Sequence, residues 1–331
     1  MKIFAFEYFS GGGLAGRPLP PAIAHEGHIM LATLVHELSE APGVEIVTSR
    51  DPRLPPLPGC ATIPPLPGED ARALYARGLL EADTAWPTAP ESDGILEGLV
   101  TETVARGKML LGCSPSAVRL TASKRATATR LRDCGIPAVP TFTVSDALPP
   151  LPGPWVIKPD GGAGCEDIRL VADWAAARES LGSDPDRLVA QPWVDGDSLS
   201  LSLLCASGDA RLLACNRQRV TAAGDGLFLE GLMVNAVADS DGRLAALADR
   251  IVTAIPELWG YVGVDLVLSR SGPVVLEINP RLTTSYCGLR SALGINIAAL
   301  VLDLACTGRL PARRFPAGSP VEIRLGHTGD A

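Results

Sequence analysis

The chain has 331 residues, 47% of them hydrophobic, and a formal net charge of −8. That length buries a substantial core and predicts two or three subdomains, while an acidic balance without a basic stripe excludes nucleic acid as a main partner. No apolar run reaches the roughly eighteen residues of a membrane helix, and the opening MKIFAFEYFSGGG reads as a strand ending in glycines, not a signal peptide. No membrane partner and a cytoplasmic location are therefore expected.

In chain order, residues 2 to 9 alternate as a buried strand, and HEGHIMLATLVHELSEAPG has helical spacing with a Pro-Gly stop. VEIVTS reads as the next strand, followed by a Pro-rich connection from Pro52 to Pro67 and a helix near EDARALYARGLLEA. A short strand around Thr84 to Trp86, a helix after ESDGILEGLV and the segment GKMLLG close this unit. The alternation predicts a parallel, Rossmann-like α/β layer. Two helical stretches with a Gly-Ile-Pro stop come next. From Trp155 onward strands are predicted at 155–158, 168–171, 187–191, 198–205, 211–220, 262–268 and 273–279, with helices at 173–181 and 242–256. The second half thus reads as α+β with antiparallel sheet. Residues after Arg313 read as a frayed tail.

Eight dispersed cysteines without C-x-x-C spacing read as buried free thiols. His25, His28 and His36 share one predicted helix, where packing or surface roles are expected over metal binding.

Only four of the 29 basic residues are lysines: Lys2, Lys108, Lys124 and Lys158. Lys158 ends the apolar strand WVIK, and Asp160-Gly161-Gly162-Ala163-Gly164 follows. Glycines let successive backbone N–H groups form a nest around an anion, and an ammonium beside them suits nucleotide phosphates; a plain glycine-turn hairpin is the alternative. The loop is not a Walker A motif. Gly11 to Gly16, GGGLAG, formally satisfies G-x-G-x-x-G, but Arg17-Pro18-Leu19-Pro20-Pro21 cannot open the helix that must receive a pyrophosphate. A nicotinamide-dependent oxidoreductase stays only as a remote alternative.

The stretch GVDLVLSRSGPVVLEINPR is the most informative. Val264, Leu266 and Leu268 share one strand face with Asp265 on the other, and Val274, Leu276 and Ile278 oppose Glu277 and Asn279. A turn centred on Ser271 sets Asp265 across from Glu277, where like charges repel unless something positive lies between them. A hard divalent cation with Asn279 as a third oxygen donor answers that, and a nucleotide triphosphate is implied as co-ligand; acids facing solvent are the plainer reading. Arg281 adds a fork suited to a substrate carboxylate or developing oxyanion. Glu7, Ser10 and Gly11 to Gly13, at a strand's C-terminal end, and Glu91 are candidates to border a substrate pocket. Arg217 and Arg219 read equally as phosphate contacts or ion pairs.

Taken in order, Lys124, Lys158 with its glycine loop, LVAQPWVDGD, Asp265 and LEINPR resemble the ATP-grasp superfamily. That likeness implies an α/β plus α+β architecture: a Rossmann-like pre-ATP-grasp domain (1–112), linker helices with a glycine-loop lid (113–190) and a C-terminal antiparallel-sheet subdomain with the metal site (191–331). It implies ATP with Mg²⁺ or Mn²⁺. Lys124 and Lys158 would hold phosphates under a lid containing Gly161, Gly162 and Gly164; Gln191, Trp193 and Val194 would line the adenine pocket. Asp197, or Ser198 one position on, would meet the ribose. Asp265, Glu277 and Asn279 would bind metal, with Arg281 and Lys158 at the reacting centre. Many members open the hinge with Glu where this chain has Gln191.

The front segments FEYFSGGG, HEGHIMLATLVHEL and APESDGILEGLV extend the likeness to the subgroup containing tyramine–L-glutamate ligase, of methanofuran-type cofactor biosynthesis. The implied activity is amide formation between an amino-acid carboxylate and an amine through an acyl phosphate. Another amino-acid or peptide ligase, or a bicarbonate-using enzyme resembling biotin carboxylase, shares the same ATP parts. A non-catalytic nucleotide-binding module would not need both Glu277 and Asn279. A homodimer is left open.

Overall fold

A computed structural model describes residues 1–146, 153–162, 168–224, 226–311, 315 and 318–325. The first unit comprises β1 (Lys2–Glu7), α1 (Pro21–Ser39), β2 (Glu45–Ser49), β3 (Ala61–Ile63), α2 (Ala71–Leu80), β4 (Thr84–Thr88), α3 (Ile95–Ala105) and β5 (Met109–Leu110). Its strands are all parallel in the order β3-β2-β1-β4-β5. The central strand β1 buries Ile3, Phe4, Ala5 and Phe6 completely, because crossover helices cover both faces of a parallel sheet. The Gly11–Gly16 stretch forms turns, and α1 starts only at Pro21 with no side-chain cap, so no glycine-rich helix start exists.

Two helices, α4 (Pro115–Ala122) and α5 (Lys124–Asp133), lead into the second half. Ser123 follows the first and caps the second, its hydroxyl accepting from Ala126 N–H at 3.0 Å. That single-residue break fixes Lys124 as the first residue of α5.

The remaining elements are β6 (Trp155–Pro159), β7 (Arg169–Val171), α6 (Trp174–Ser183), β8 (Leu188–Pro192), β9 (Asp197–Ala206), β10 (Asp209–Ala223), β11 (Gly226–Val234), α7 (Arg243–Ala254), β12 (Gly260–Ser269), β13 (Gly272–Asn279), α8 (Tyr286–Leu293), α9 (Ile297–Thr307) and β14 (Val321–Arg324). They build one antiparallel sheet ordered β13-β12-β9-β10-β11-β7-β6-β8, with β14 on β11. The β6–β8 end has its own small core, in which Trp155 meets Phe142 and Trp174 edge-on at 5.7 and 4.9 Å.

Several elements depart from expectation. The Pro-rich connection carries β3, and β11, α8 and α9 were not among the expected elements. The expected frayed tail contains β14, whose half-buried Ile323 packs against the cluster that includes Tyr286 and Leu289. Such short or partly paired segments are stabilised by the neighbour they meet, not by local pattern. Among the described cysteines, Cys113, Cys205 and Cys215 are buried as expected, whereas Cys134 and Cys306 are exposed. Among the described residues no single helix is long and apolar enough to cross a membrane.

Helix α1 is held on both sides. Toward its own sheet, a Cβ on Gly27 would fall on the Glu7 carboxyl, so only glycine permits that approach. Toward the second half, Tyr286 Oη donates to Glu37 Oε2 at 2.6 Å and Ala298 N–H donates to the same oxygen at 2.9 Å. Glu37 is wholly buried. On the rim, Arg290 pairs with Glu40 at 2.7 Å.

Gly27→Ala is expected to destabilise the chain by about 1–3 kcal/mol, the range for overpacking, read as a lower urea midpoint with unchanged slope. Burial pushes the Glu37 carboxyl above its ordinary value, and the hydrogen bonds from Tyr286 and Ala298 oppose this without overcoming it. The native state therefore binds this proton more tightly than the unfolded chain, and the stability it contributes is lost as pH rises from the ordinary glutamate value through the raised one. Glu37→Gln keeps an acceptor for both donors and cannot ionise. Its melting temperature relative to wild type should accordingly rise as pH increases above the ordinary glutamate value; a constant difference would contradict this.

Candidate active site

The β12–β13 pair sets the centre of the site. Asp265 lies opposite Glu277, as the hairpin reading expects, but the register then slips so that Leu266 faces Val275. Leu276 is the extra residue of this bulge. The expected Val274–Leu276–Ile278 face is thereby corrected: Val275 and Ile278 are buried in the core, and Leu276 turns to a cavity that Asp265, Glu277 and Asn279 also line.

The two opposed acids are compensated differently. Asp265 accepts from Gln218 Nε2 at 2.8 Å and Asn279 Nδ2 at 2.9 Å. Desolvation, followed by the charge of Glu277, pushes its carboxyl up to about 7. Glu277 is also desolvated, but the ammonium groups of Lys124 and Lys158, at 3.5 and 3.9 Å, overcome that and hold it below the usual range. Lys124 further donates to the Gly162 carbonyl at 2.9 Å, tying α5 to the loop after β6. Both lysines are buried, at 5% and 6% exposure, so two scarce ammonium groups meet one carboxylate.

The cavity measures about 240 Å³ and runs between the two ends of the antiparallel sheet. One end is formed by Val156, Gln191, Trp193, Val194 and the apolar side chains of Val220, Leu229 and Leu232; Lys158 and the two acids form its middle. Gln191 is fixed by donating to Thr141 Oγ1 at 2.9 Å, and Trp193 by donating from Nε1 to Asp195 at 2.7 Å. The far end presents Arg281, Thr283, Thr284 and Glu26. Arg281 is clamped by Glu91 through a two-pronged pair at 2.8 and 3.1 Å, both side chains nearly buried.

Most of the expected residues therefore converge, with specific exceptions. Ser198 lines the cavity, while Asp197 points away and pairs with Arg217 at 3.0 Å. Strand alternation explains the exchange, since Ser198 and Ser200 share the cavity face of β9. Arg217 and Arg219 are exposed ion pairs, Arg219 with Glu230 and Glu322. Gln218 between them faces inward, a role the alternation of NRQRV carried and the sequence reading passed over. Glu7 and Ser10 do not border the cavity: both are buried, Glu7 accepting from Ser10 N–H at 2.7 Å. Their helical neighbour Glu26 lines it instead, and the sequence reading had not singled it out. Gly161 and Gly162 follow β6 as expected, and Gly164 lies outside the described residues. His28 meets Arg50 at 2.7 Å and His36 is paired with Glu40, so neither departs from a packing or surface role.

Among the described residues no cluster of three His, Cys, Asp or Glu side chains forms a metal site. The donor set Asp265, Glu277 and the Asn279 amide nevertheless fits a hard divalent ion, which takes one or two carboxylates and completes its shell with other oxygens. A carboxyl pushed up to about 7 by burial and then by a neighbouring carboxylate is a position that added positive charge would relieve.

Comparison with known proteins agrees with this arrangement. The ATP-grasp domain family matches residues 121–285 and the pre ATP-grasp 3 domain matches residues 44–118. The chain is 28% identical over 209 residues to tyramine–L-glutamate ligase of Methanocaldococcus jannaschii, covering 63% of this chain and 59% of that protein. Its fold is similar to the crystal structure of an ATP-grasp superfamily protein from Archaeoglobus fulgidus, with a TM-score of 0.72 and 24% identity over 98% of this chain and all of the other. It is also similar to L-amino acid ligase from Bacillus licheniformis, with a TM-score of 0.63 and 19% identity over 93% of this chain and 74% of the other. With both domain types matched in order and Lys158, the opposed acids and the hinge gathered around one cavity, the chain belongs to the ATP-grasp superfamily.

Proposed function

We propose that the chain is an ATP-dependent ligase that joins a carboxylate to an amine with release of ADP, acting on L-glutamate through its γ-carboxyl and on tyramine or a tyrosine-like amine. The observation that carries the ligase reading is the continuity of one cavity from an apolar end, past Lys158 and two acids, one of them also held by Lys124, to a clamped arginine. The choice of substrates rests on the likeness to tyramine–L-glutamate ligase.

A carboxylate is a poor electrophile, because its charge repels an amine and its leaving group is oxide. Phosphorylation by ATP gives an acyl phosphate, from which the amine displaces phosphate. No side-chain nucleophile is needed, and the protein's contribution is position and charge. Trp193, Val194 and Gln191 receive the base in the apolar end, with Ser198 toward the sugar. Lys124 and Lys158 exchange their contact with Glu277 for contact with phosphate oxygens. Asp265, Glu277 and Asn279 would hold Mg²⁺ or Mn²⁺, which when bound supplies positive charge for the transferring phosphoryl group. Arg281, held by Glu91, orients the acyl group and faces the charge that develops on its oxygen. Gly161 and Gly162, beside Lys124, would offer backbone N–H groups to the phosphates.

Glu277→Gln keeps the shape but removes the charge that both lysines and the metal require. ADP release with ATP, L-glutamate and tyramine should fall about 10²- to 10³-fold in kcat, the range for losing one preorganised electrostatic group; undiminished release would contradict the reading. Ser198→Ala should raise the KM for ATP about fivefold, the worth of one hydrogen bond, while Asp197→Ala leaves it unchanged, in steady-state kinetics with the other substrates saturating.

A further inference from the structure

The far end of the cavity carries one carboxylate more than it can match. Arg281 is taken by Glu91 through both of its bonds. Glu26 lines the same cavity and accepts from the Thr284 hydroxyl; among the described residues no basic side chain pairs with it directly, although its charge also acts on Arg281. Behind it lies Glu7, which cannot offset the charge: burial, with a smaller contribution from Glu26, raises the Glu7 carboxyl.

The position of Glu26 is set with care. Gly27, the next residue, lets α1 lie directly on Glu7, and the Glu37 contacts with Tyr286 and Ala298 pin the same helix to the second half of the chain. A partly buried acid held by a helix fixed on both sides is preorganised, and a ligand that fills this end must neutralise it or lose affinity. A simple dicarboxylate would bring a like charge. An α-amino acid brings an ammonium beside its carboxylate, which Glu26 can accept while the reacting carboxyl faces Lys158 and the acids.

We infer that Glu26 determines specificity at the acyl-donor end, binding the ammonium group of an α-amino acid and discriminating against the matching acid that lacks it. This rests on the ligase reading proposed above. It assigns the ammonium to the acyl donor, not to the attacking amine, and the two assignments give different kinetics.

The test is ADP release by the full chain with ATP and tyramine, varying L-glutamate or glutarate, in wild type, Glu26→Gln and Glu26→Asp. Glutamine retains an acceptor for Thr284, and equal melting temperatures and an unchanged KM for ATP show that the fold and nucleotide end are intact. For Glu26→Gln the KM for L-glutamate should rise about ten- to hundredfold, the worth of a charge-assisted hydrogen bond, and the preference over glutarate should fall by the same factor. Glu26→Asp, which keeps the charge, should retain part of that preference. An unchanged KM for L-glutamate in an active variant overturns the inference and leaves the ligase reading standing, as does a rise confined to the KM for tyramine or a wild type that uses glutarate and L-glutamate equally. A wild type that turns over no amino acid with any amine overturns the ligase reading, and the inference with it.

Discussion

The placement of two carboxylates on adjacent strands governs the rest of the site. Asp265 and Glu277 repel, and the fold answers with two unlike devices: amide donors from Gln218 and Asn279 on one acid, and the lysine pair on the other. Each device draws on a different element. Gln218 comes from β10, Asn279 from β13, Lys124 from the first turn of α5 and Lys158 from the end of β6. The repulsion thus ties the two ends of the antiparallel sheet together through the space where a substrate would bind. A cluster held by mutual charge, with exchangeable partners, is suited to opening for a triphosphate and its metal ion.

A second constraint concerns α1. This helix belongs to the parallel sheet by connectivity, yet Glu37 and the following Glu40 also make polar contacts with α8 and α9. Glu91, also from the first unit, completes the clamp on Arg281. The first unit thus contributes Glu26 to the cavity wall and Glu91 to the clamp on Arg281. Under the proposed function, nucleotide handling would fall to the antiparallel sheet and choice of the carboxylate substrate to the seam between the two units.

Legibility in the sequence followed the range of the interactions. Asp265 facing Glu277 was readable because a hairpin of known turn has a period of two, and Lys158 beside glycines was readable because both lie within one turn. The bulge at Leu276 was not, since a one-residue slip leaves composition unchanged while reversing which side chain faces inward. Asp197 misled for a similar reason: an acid stands out in a sequence, but the pleat of β9 directs the neighbouring serine to the cavity. Gln218 was hidden between two arginines whose charge drew attention to the wrong face.

Taken alone, the sequence determined the succession of a parallel α/β unit and an antiparallel one, the opposed acids, the two lysines and the glycine loop, because each is written in local periodicity or in residues close along the chain. The tertiary structure alone decided that both lysines meet the same carboxylate, that Glu91 holds Arg281 from 190 positions away, and that Glu26 is left without a direct ion pair among the described residues. Those pairings depend on how separately folded elements pack, and electrostatic energy between side chains is set by that distance in space, on which sequence separation carries no information.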